Sequence, residues 1–513
     1  MNTPSTTRWI TRPIAKGVIL ERKNHVLIGH PQPPRFRLMT PDDLHRRPEH
    51  VPPHAGAPLI APRPGARVAI VGSGISGLSA AWLLSQRYQV DIFEQADWIG
   101  GHSHTVEVAA PGGSVPVDTG FIVYNARNYP NLVRLFDHLG VATLATDMSF
   151  AVSLDGGRLE YGSDMPRGLF AQPANLLRPR FLTMLRDIAR FYRTAPAALA
   201  ALESADDGPS LGEWLAREGY GASFARDHLL PMAAAIWSAP AREMMAFPAA
   251  SLLRFFHNHG LLQATSRPQW RTVIGGSQAY VKKLTAGFRE RIHLGRAIVG
   301  VRRTADGVAL HTIDGAVLQY DHVVMAAHAD QSLALLEDAD GEERRQLGAF
   351  SYQENRAVLH SDAALMPRRR AAWASWNYMA ERAPGDNSHD EARLSVSYWM
   401  NRLQNLPNER SFFVTLNPTR EPDAASVHAS FVYHHPMFDD KAMAAQGALA
   451  GLQGRRNTWF CGSYFGYGFH EDGLVSGLAV AAAFGVPAPW KAEMPVKDVA
   501  PALLGGLAAP AVA

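Results

Sequence analysis

The chain has 513 residues, 47% apolar and 19% charged, which is typical of a globular protein of several domains and excludes a disordered chain. The formal net charge is +3, yet residues 1–67 alone carry +7 and the remainder −4, so the body lacks the basic excess of a nucleic-acid-binding protein. The single cysteine, Cys461, excludes an intramolecular disulfide. Because no apolar run reaches the length of a spanning helix, we expect a cytoplasmic protein without a transmembrane segment, with peripheral membrane contact left open.

Both ends of the chain differ in composition from its middle. Residues 1–65 contain 12 of the 35 prolines and show little helical periodicity, which predicts a disordered, basic, proline-rich tail. A functional basic arm, a targeting peptide and a start codon assigned too early are the alternatives. Residues 491–513 are rich in alanine, proline and glycine and predict a loose C-terminal tail.

The folded region begins with a βαβ pattern. Val68–Val71 is a fully apolar run of the kind that a buried parallel strand requires. A glycine-rich turn follows, then a helical pattern through Leu78–Leu84 and a second strand over Gln89–Glu94. These elements predict a βαβ unit.

The turn of this unit has the spacing G-x-G-x-x-G. Gly72 permits a tight turn, Gly74 lets the backbone approach a pyrophosphate at the helix N-terminus, and Gly77 allows the helix to pack closely on the strand. Glu94, at the end of the second strand, can accept hydrogen bonds from a ribose diol. The alternative is a glycine-rich turn that arose by chance, but the position of the motif between strand and helix favours dinucleotide binding.

Later segments predict a mixture of helices and strands. Residues 119–267 read as mostly helical, with a capping box at Ser210–Glu213. The helix over 178–192 is expected to bury one face, made of Phe181, Leu182, Leu185, Ile188, Ala189 and Tyr192. Strands are predicted at 297–301, 308–313, 323–327, 393–398, 411–416, 430–434 and 458–461, and a last helix near Leu474.

Two segments carry a family resemblance. Gly100–Gly101–His102, shortly after the ribose acid, resembles the paired-glycine motif of the flavin-dependent amine oxidase and phytoene desaturase superfamily. That motif usually has arginine on either side of the glycines, whereas this chain has Ile99 and His102. Residues 460–477 resemble the closing flavin segment of the same superfamily, in which a helix begins beneath the flavin. The resemblance implies FAD as the cofactor.

The resemblance also assigns individual residues. Val299 occupies the place where the family pairs its backbone with adenine. An acid commonly follows the strand glycine in the family, but Ser463 stands there, so Asp472 or Glu471 is expected to replace it. The cofactor-binding residues implied by motif and resemblance together are Gly72, Ser73, Gly74, Ile75, Ser76, Gly77, Glu94, Gln95, Gly100, Gly101, His102, Val299, Gly462, Ser463, Asp472, Gly473 and Leu474.

Residues 66–487 are similar to one bacterial group in particular, the predicted NAD/FAD-binding proteins or FAD-dependent oxidoreductases. The motifs that carry this likeness include Gly100–His104, Pro268–Arg271, Trp399–Asn401 and Gly468–Gly473. Members are commonly encoded beside cyclopropane-fatty-acid-synthase-like enzymes. The likeness therefore implies, by association, a lipid acyl substrate and a synthase-like partner.

His470 and Tyr467 are the candidate catalytic residues, because they lie in the loop that enters the flavin segment. The alternatives are that His470 caps a helix and that Tyr467 packs in the core. The pair His434–His435 could reach the same cleft or be structural. His102 and His104 are expected to share one side of an extended segment, and with no third ligand at suitable spacing no metal site is predicted.

One further group could bind a cation. The aromatic stretch that includes Trp373, Trp376, Tyr378, Tyr398 and Trp399 could form an amine-binding cage, or it could be core of the substrate domain.

These observations predict an α/β flavoprotein. It would combine a Rossmann-like, glutathione-reductase-type FAD-binding domain (66–118, 268–345, 452–490) with a discontinuous, mixed α+β substrate domain (119–267, 346–451). The expected function is FAD-dependent dehydrogenation of a lipid acyl or other apolar small-molecule substrate. Alternatives are an amine or amino-acid oxidase, a non-catalytic flavin-binding partner of a lipid-modifying synthase, and an FAD-dependent isomerase.

Overall fold

The computed structural model describes residues 62–491 except 111, 204–207, 238–240, 259–261, 263–267 and 382–392. The predicted tails, 1–65 and 491–513, lie outside the described residues apart from 62–65 and 491. No helix in the described part of the chain is long and apolar enough to cross a membrane.

The strands are β1 (Arg67–Val71), β2 (Gln89–Phe93), β3 (Thr105–Ala110), β4 (Gly113–Asp118), β5 (Tyr124–Asn125), β6 (Thr143–Thr146), β7 (Phe150–Leu154), β8 (Leu159–Gly162), β9 (Trp270–Val273), β10 (Ile292–His293), β11 (Ile298–Thr304), β12 (Gly307–Thr312), β13 (Val317–Tyr320), β14 (His322–Met325), β15 (Ser351–His360), β16 (Trp376–Glu381), β17 (Arg393–Trp399), β18 (Phe413–Leu416), β19 (Val427–Met437) and β20 (Thr458–Phe460). The α-helices are α1 (Ile75–Leu84), α2 (Pro130–Leu139), α3 (Pro179–Glu203), α4 (Leu211–Arg217), α5 (Ala222–Phe224), α6 (Leu230–Trp237), α7 (Ala241–Ala246), α8 (Ala249–Asn258), α9 (Gln278–Leu284), α10 (Ala329–Leu335), α11 (Gly341–Leu347), α12 (Met400–Leu403), α13 (Asp440–Gln446) and α14 (His470–Ala483).

A parallel sheet carries the predicted nucleotide-binding motif. Its strand order is β10-β2-β1-β14-β20, and every neighbouring pair is parallel. Val68–Val71 in the central strand β1 is buried, as its uninterrupted apolar run predicts. The strands come from residues 67–93, 292–325 and 458–460, so chain segments almost 400 residues apart meet in one sheet.

A second sheet has seven strands. Its order is β19-β15-β18-β17-β16-β7-β8, with a single parallel pair between β7 and β16. The sheet draws on residues 150–162 and 351–437. A third sheet, β5-β9-β6, pairs residues 270–273 with strands at 124–125 and 143–146. We therefore propose the same two-domain division, with β9 at the junction.

Helices α1 and α14 cross closely because small residues face each other. A Cβ built on Gly477 would lie 2.2 Å from the Oγ of Ser79 and 2.3 Å from the carbonyl oxygen of Ser76. One built on Gly473 would lie 2.9 Å from Ile75 Cγ2. The crossing brings the N-terminus of α14 beside the N-terminus of α1.

The structure corrects several predicted elements. Residues 119–267 are not mostly helical from the start, since β5 to β8 precede the first long helix. These strands are only two to five residues long, too short for a clear two-residue period. In α3 the buried side is Phe181, Met184, Phe191 and Ala195, whereas Leu182 is 47% exposed and Ala189 is exposed. The capping box at Ser210–Glu213 is confirmed. Helix α14 begins at His470, four residues before its predicted start.

Candidate active site

The turn between β1 and α1 uses three glycines for three different reasons. Gly72 has φ +107°, and a Cβ there would lie 2.7 Å from the carbonyl oxygen of Ala326. A Cβ on Gly77 would lie 2.1 Å from the carbonyl oxygen of Gly72, so the helix could not pack as it does. A Cβ on Gly74 would meet nothing within 4 Å. Gly74 is the N-cap of α1 and offers no side-chain cap, so the helix end faces open space.

Glu94 lies beside this turn at the end of β2. Its Oε2 accepts hydrogen bonds from the N–H of Ser73 at 2.9 Å and the Oγ of Ser73 at 2.8 Å, while its Oε1 accepts one from the N–H of Ala96 at 2.9 Å. These bonds hold the carboxylate next to the glycine-rich turn, where the motif requires it. Gln95, the next predicted residue, is exposed.

The paired glycines lie against the same turn. Gly100 and Gly101 have φ of +116° and +56°, and the N–H of Gly100 donates to the carbonyl oxygen of Ser73 at 3.1 Å. A Cβ on Gly101 would lie 3.1 Å from the Cα of Gly74. The two glycine motifs, separated in sequence by about 25 residues, thus form one backbone surface.

Val299 lies at the start of β11, near Glu94. The N–H of Arg296, three residues earlier, donates to the carbonyl oxygen of Glu94 at 3.0 Å. A register shift between Ile298 and Gly300 leaves Val299 out of the ladder with β12, and its side chain is 54% exposed. Its backbone is therefore available for the adenine contact that the resemblance implies.

The C-terminal segment brings α14 to the turn. Ile75 and Ser76 of α1 are buried, and Gly473 packs on them. The Oγ of Ser79 donates to the carbonyl oxygen of the buried Leu474 at 3.4 Å, and the N–H of Gly462 donates to the Oγ of Ser476 at 2.9 Å. Ser463, after Gly462, begins a short 3-10 helix.

The two acids of this segment bond to the protein backbone. Asp472 Oδ2 accepts from the N–H groups of Tyr467 and Phe469 at 2.9 Å each. Glu471 accepts from the N–H groups of Asn131 and Leu132 at 2.8 and 3.0 Å and so caps α2. Burial raises the pKa of both carboxyl groups to about 7. Each acid thus stabilises a helix start, a use that the spacing of these residues did not predict.

His470, at the first position of α14, is held by three side chains. Its ring stacks on Phe121 with centroids 3.9 Å apart, and its Nε2 lies 2.7 Å from the Oη of Tyr280 and 3.4 Å from the Oγ of Ser103. Burial lowers the pKa of His470 to about 3, so the imidazole is neutral at physiological pH.

Tyr467, the other catalytic candidate, lies in the loop before α14. Its ring centroid is 6.5 Å from that of Phe438, and its N–H bonds to Asp472.

His102 belongs to a group of imidazoles that we call the histidine cluster, made of His102, His328, His434, His435 and His470. The ring of His102 lies 4.8 Å from that of Tyr433 and 5.6 Å from that of His435, both on β19. Its Nε2 is buried without a hydrogen-bond partner among the described residues. Burial, followed by the other four imidazoles, lowers the pKa of His102 well below its ordinary value.

Sequence reasoning missed Tyr433 and Phe431, which face the two predicted histidines. His104 packs edge-on against Phe431 with centroids 4.5 Å apart. Phe431, Tyr433 and His435 alternate along β19, so the two-residue period of a strand could have placed them on one face. No three histidine, cysteine, aspartate or glutamate side chains are grouped as metal ligands among the residues described.

The arrangement fits a bound FAD. The N-terminus of α1 and the open position at Gly74 suit a pyrophosphate, and Glu94 suits a ribose. The buried, unpartnered Nε2 of His102 leaves a polar atom for a ligand at the far end of the paired glycines. The residues that would hold FAD are those of 72–77, Glu94, 100–102 and Val299, together with the start of α14.

Fold and site together define a flavoprotein with a Rossmann-like FAD-binding fold, confirming the predicted fold class and cofactor. Residues 75–353, more than half of the chain, match the family model of flavin containing amine oxidoreductases. The chain belongs to this family and is an FAD-dependent oxidoreductase.

Solved structures share this fold at low sequence identity. Wild-type putrescine oxidase bound to putrescine is 16% identical, covers 82% of this chain and 99% of its own, and superposes with a TM-score of 0.57. Cyclohexylamine oxidase from Brevibacterium oxydans is 17% identical over 82% and 99%, with a TM-score of 0.56. A CLA-producing fatty acid isomerase from P. acnes is 18% identical over 80% and 97%, with a TM-score of 0.55. No curated protein matches the chain.

Proposed function

We propose that the protein dehydrogenates a lipid acyl chain or a similarly apolar substrate. The observation that carries this proposal is the chemistry around His102. The charged groups that act on His102 are the other four imidazoles, whereas the carboxylate of Asp330 acts on His328 instead. A substrate ammonium buried there would lack an anionic partner and would be strongly disfavoured, whereas an apolar chain requires none.

The aromatic stretch supports the same conclusion. The guanidinium of Arg370 lies 3.7 Å from the ring centroid of Trp373 and 4.7 Å from that of Trp399. The two indoles that could have formed a cage for a substrate cation therefore hold a cation of the chain itself. This arrangement favours the core interpretation of the stretch over the amine-binding one.

His470 has a positioning role in this proposal. Its stacking on Phe121 and its bond to Tyr280 fix the ring at the N-terminus of α14, and its low pKa keeps a charge out of an apolar site. When bound, FAD would supply the hydride acceptor for oxidation of a substrate C–H bond. The chain's part is to orient the substrate C–H bond and to exclude water.

Isomerisation of a fatty acid is the second candidate. A fatty acid isomerase shares the fold over 80% of this chain, so the architecture accommodates an acyl substrate in at least one other protein. An isomerase leaves the substrate with no net change of redox state, which separates the two candidates experimentally.

The test is anaerobic reduction of the bound flavin. Purified protein is mixed with phospholipids, free fatty acids or amines, and the visible flavin spectrum is followed; we expect bleaching with the acyl substrates. Bleaching by amines alone would contradict the proposal and favour an amine oxidase. A shift of double bonds without bleaching would favour the isomerase, and an unreactive flavin in a tight complex with a cyclopropane-fatty-acid-synthase-like enzyme would favour the partner role.

The matched controls use two glycines at helix starts. A Cβ at Gly74 contacts no protein atom within 4 Å, so the side chain of Gly74→Val would collide only with a bound ligand. We therefore expect a folded protein without flavin and without bleaching. Gly341→Val, at the first position of α11, also meets nothing within 4 Å but lies away from the site, and should keep the flavin.

A further inference from the structure

Exposed leucines gather where the chain enters helix α3. Leu176 is 49% exposed, Leu177 is 86% exposed and Leu182 is 47% exposed, and all three lie within seven consecutive residues. Single exposed leucines are ordinary on soluble proteins, but several together indicate a surface that contacts another apolar phase. We call these three side chains the leucine patch.

A cavity of about 630 Å³ is lined in part by residues that lie between these leucines in sequence. Arg178, Arg180 and Phe181, which lie between the leucines in sequence, are part of its lining. Its walls combine apolar side chains with six charged ones and come from β7, β8, α3 and α4 as well as from β16 and β17. The volume is within the range of about 300–1,000 Å³ that is usual for ligand pockets. None of the residues assigned to the flavin site lines this cavity.

The charged residues of the lining leave an excess of positive charge. Arg180 forms a bidentate pair with Asp227 at 2.7 and 2.8 Å, and Arg158 pairs with Asp155 at 3.2 Å. Two further arginines, Arg178 and Arg226, have no such counterpart in the lining.

Their surroundings show how these two charges are placed. Arg178 donates to two neutral oxygens, the carbonyl of Arg158 and Oδ1 of Asn175. Arg226 is exposed and forms no ion pair with a residue that the structure describes. The site therefore combines apolar wall residues with two guanidinium groups available to an anion.

We propose that the leucine patch and this cavity form a docking site for a phospholipid bilayer with anionic headgroups. The leucines enter the acyl region, Arg178 and Arg226 contact headgroup phosphates, and the cavity receives one acyl chain. The charge complementarity of Arg178 and Arg226, together with the exposed leucines on either side of Arg178 and Arg180 in sequence, selects this occupant. The inference does not depend on the proposed reaction, because the site lies apart from the flavin.

The test is co-sedimentation of the flavin-loaded full chain with vesicles. Vesicles of phosphatidylcholine mixed with phosphatidylglycerol should bind the protein, and vesicles of phosphatidylcholine alone should bind it much less. Binding to the anionic vesicles should weaken as salt is added, because exposed charges are screened. No sedimentation with either type would overturn the proposal.

Variants assign the binding to this surface. The triple variant Leu176→Ser, Leu177→Ser, Leu182→Ser should weaken vesicle binding at least tenfold, and Arg226→Glu should abolish the preference for anionic vesicles. The matched control is Ile313→Ser with Val317→Ser, which changes two side chains that are 65% and 56% exposed elsewhere; it should bind as the wild type does. Equal binding by the leucine variant and this control would overturn the proposal.

A soluble fatty acid has the same apolar chain and anionic head as a bilayer lipid, so its binding is tested separately, below its micelle concentration. Binding of the monomeric fatty acid without vesicle binding would replace a bilayer with a soluble ligand and overturn the docking proposal. Flavin bleaching by that fatty acid in the leucine variant is measured in parallel, so failure of docking and failure of the proposed reaction are told apart.

Discussion

His360 shows how one buried imidazole couples the fold to pH. The residue is fully buried in β15, its Nε2 lies 2.7 Å from the Oγ1 of Thr415, and its Nδ1 accepts the N–H of Asp362 at 3.1 Å. The accepting Nδ1 requires the neutral tautomer. Burial lowers the pKa of His360 to about 4.

The shift predicts a loss of stability in acid. Between about pH 6.5 and about pH 4 the unfolded chain binds a proton at His360 that the folded chain does not, so the free energy of unfolding falls as the pH falls through this window. His360→Asn removes this contribution. We expect the melting-temperature gap between wild type and variant to be smaller at about pH 5 than at about pH 7.5.

The matched control for this prediction is Thr415→Val, which removes the hydrogen bond but no titratable group. Its melting-temperature gap should be similar at both pH values. A gap for His360→Asn that is equally independent of pH would contradict the assignment.

At the scale of elements, the crossing of α1 and α14 decides where two helix N-termini meet. It depends on small residues, because a Cβ on Gly477 would lie 2.2 Å from the Oγ of Ser79. Gly477→Ala should therefore overpack the crossing and destabilise the protein by roughly 1–3 kcal/mol. Thermal unfolding and the flavin content of the purified protein measure the effect, and both should decrease together.

A glycine with free space provides the comparison. Gly451→Ala adds the same methyl group at a position with nothing within 4 Å, and should leave the melting temperature nearly unchanged. If both alanine variants melted at the same temperature, the crossing would not be the close contact described.

At the scale of the whole molecule, the candidate flavin site joins distant segments. Its residues come from 72–102, Val299 and 462–474, and they meet only in the folded chain. A ligand that binds the folded state alone stabilises it by mass action, by about 2.7 kcal/mol at a hundredfold excess over the dissociation constant. Removal of FAD should therefore lower the melting temperature, and added FAD should restore it in a concentration-dependent manner.

Riboflavin tests the pyrophosphate and adenosine part of this site separately from the flavin part. It lacks the pyrophosphate and adenosine that the glycine-rich turn, Glu94 and Val299 would hold. It should raise the melting temperature of the flavin-free protein much less than FAD does. Equal shifts from both compounds, or no shift from FAD, would contradict the assignment of the residues around Gly74.

Much of the fold could be predicted from local pattern. The strand at Val68–Val71, the helix after Gly77, the capping box at Ser210–Glu213 and the strand at 393–398 follow from apolar runs, glycine spacing and capping chemistry. The prediction that Leu182 belongs to the buried face of α3 was wrong. Helical periodicity shows which residues share a side of a helix, but it does not show how far a neighbouring element covers that side.

The site was less predictable than the fold. Glu471 and Asp472 are in the expected segment, but their bonds go to Asn131, Leu132 and the loop at 467–469, partners whose proximity depends on long-range packing. Tyr433 lies over 300 residues from His102 in sequence, and its place beside that ring follows from the position of β19.

The sequence by itself determined the class of protein. A buried strand, a glycine-rich turn and a terminal acid are chemically constrained over about thirty residues, so the motif predicts dinucleotide binding without any long-range information. The resemblance carried by residues 100–102 and 460–477 then implied FAD. Only the tertiary structure decided which side chains meet at that site, such as Tyr433 beside His102 and Glu471 on the first turn of α2. These features arise from contacts between residues that are remote in the chain, and the uneven charge noted from composition gave no indication of them.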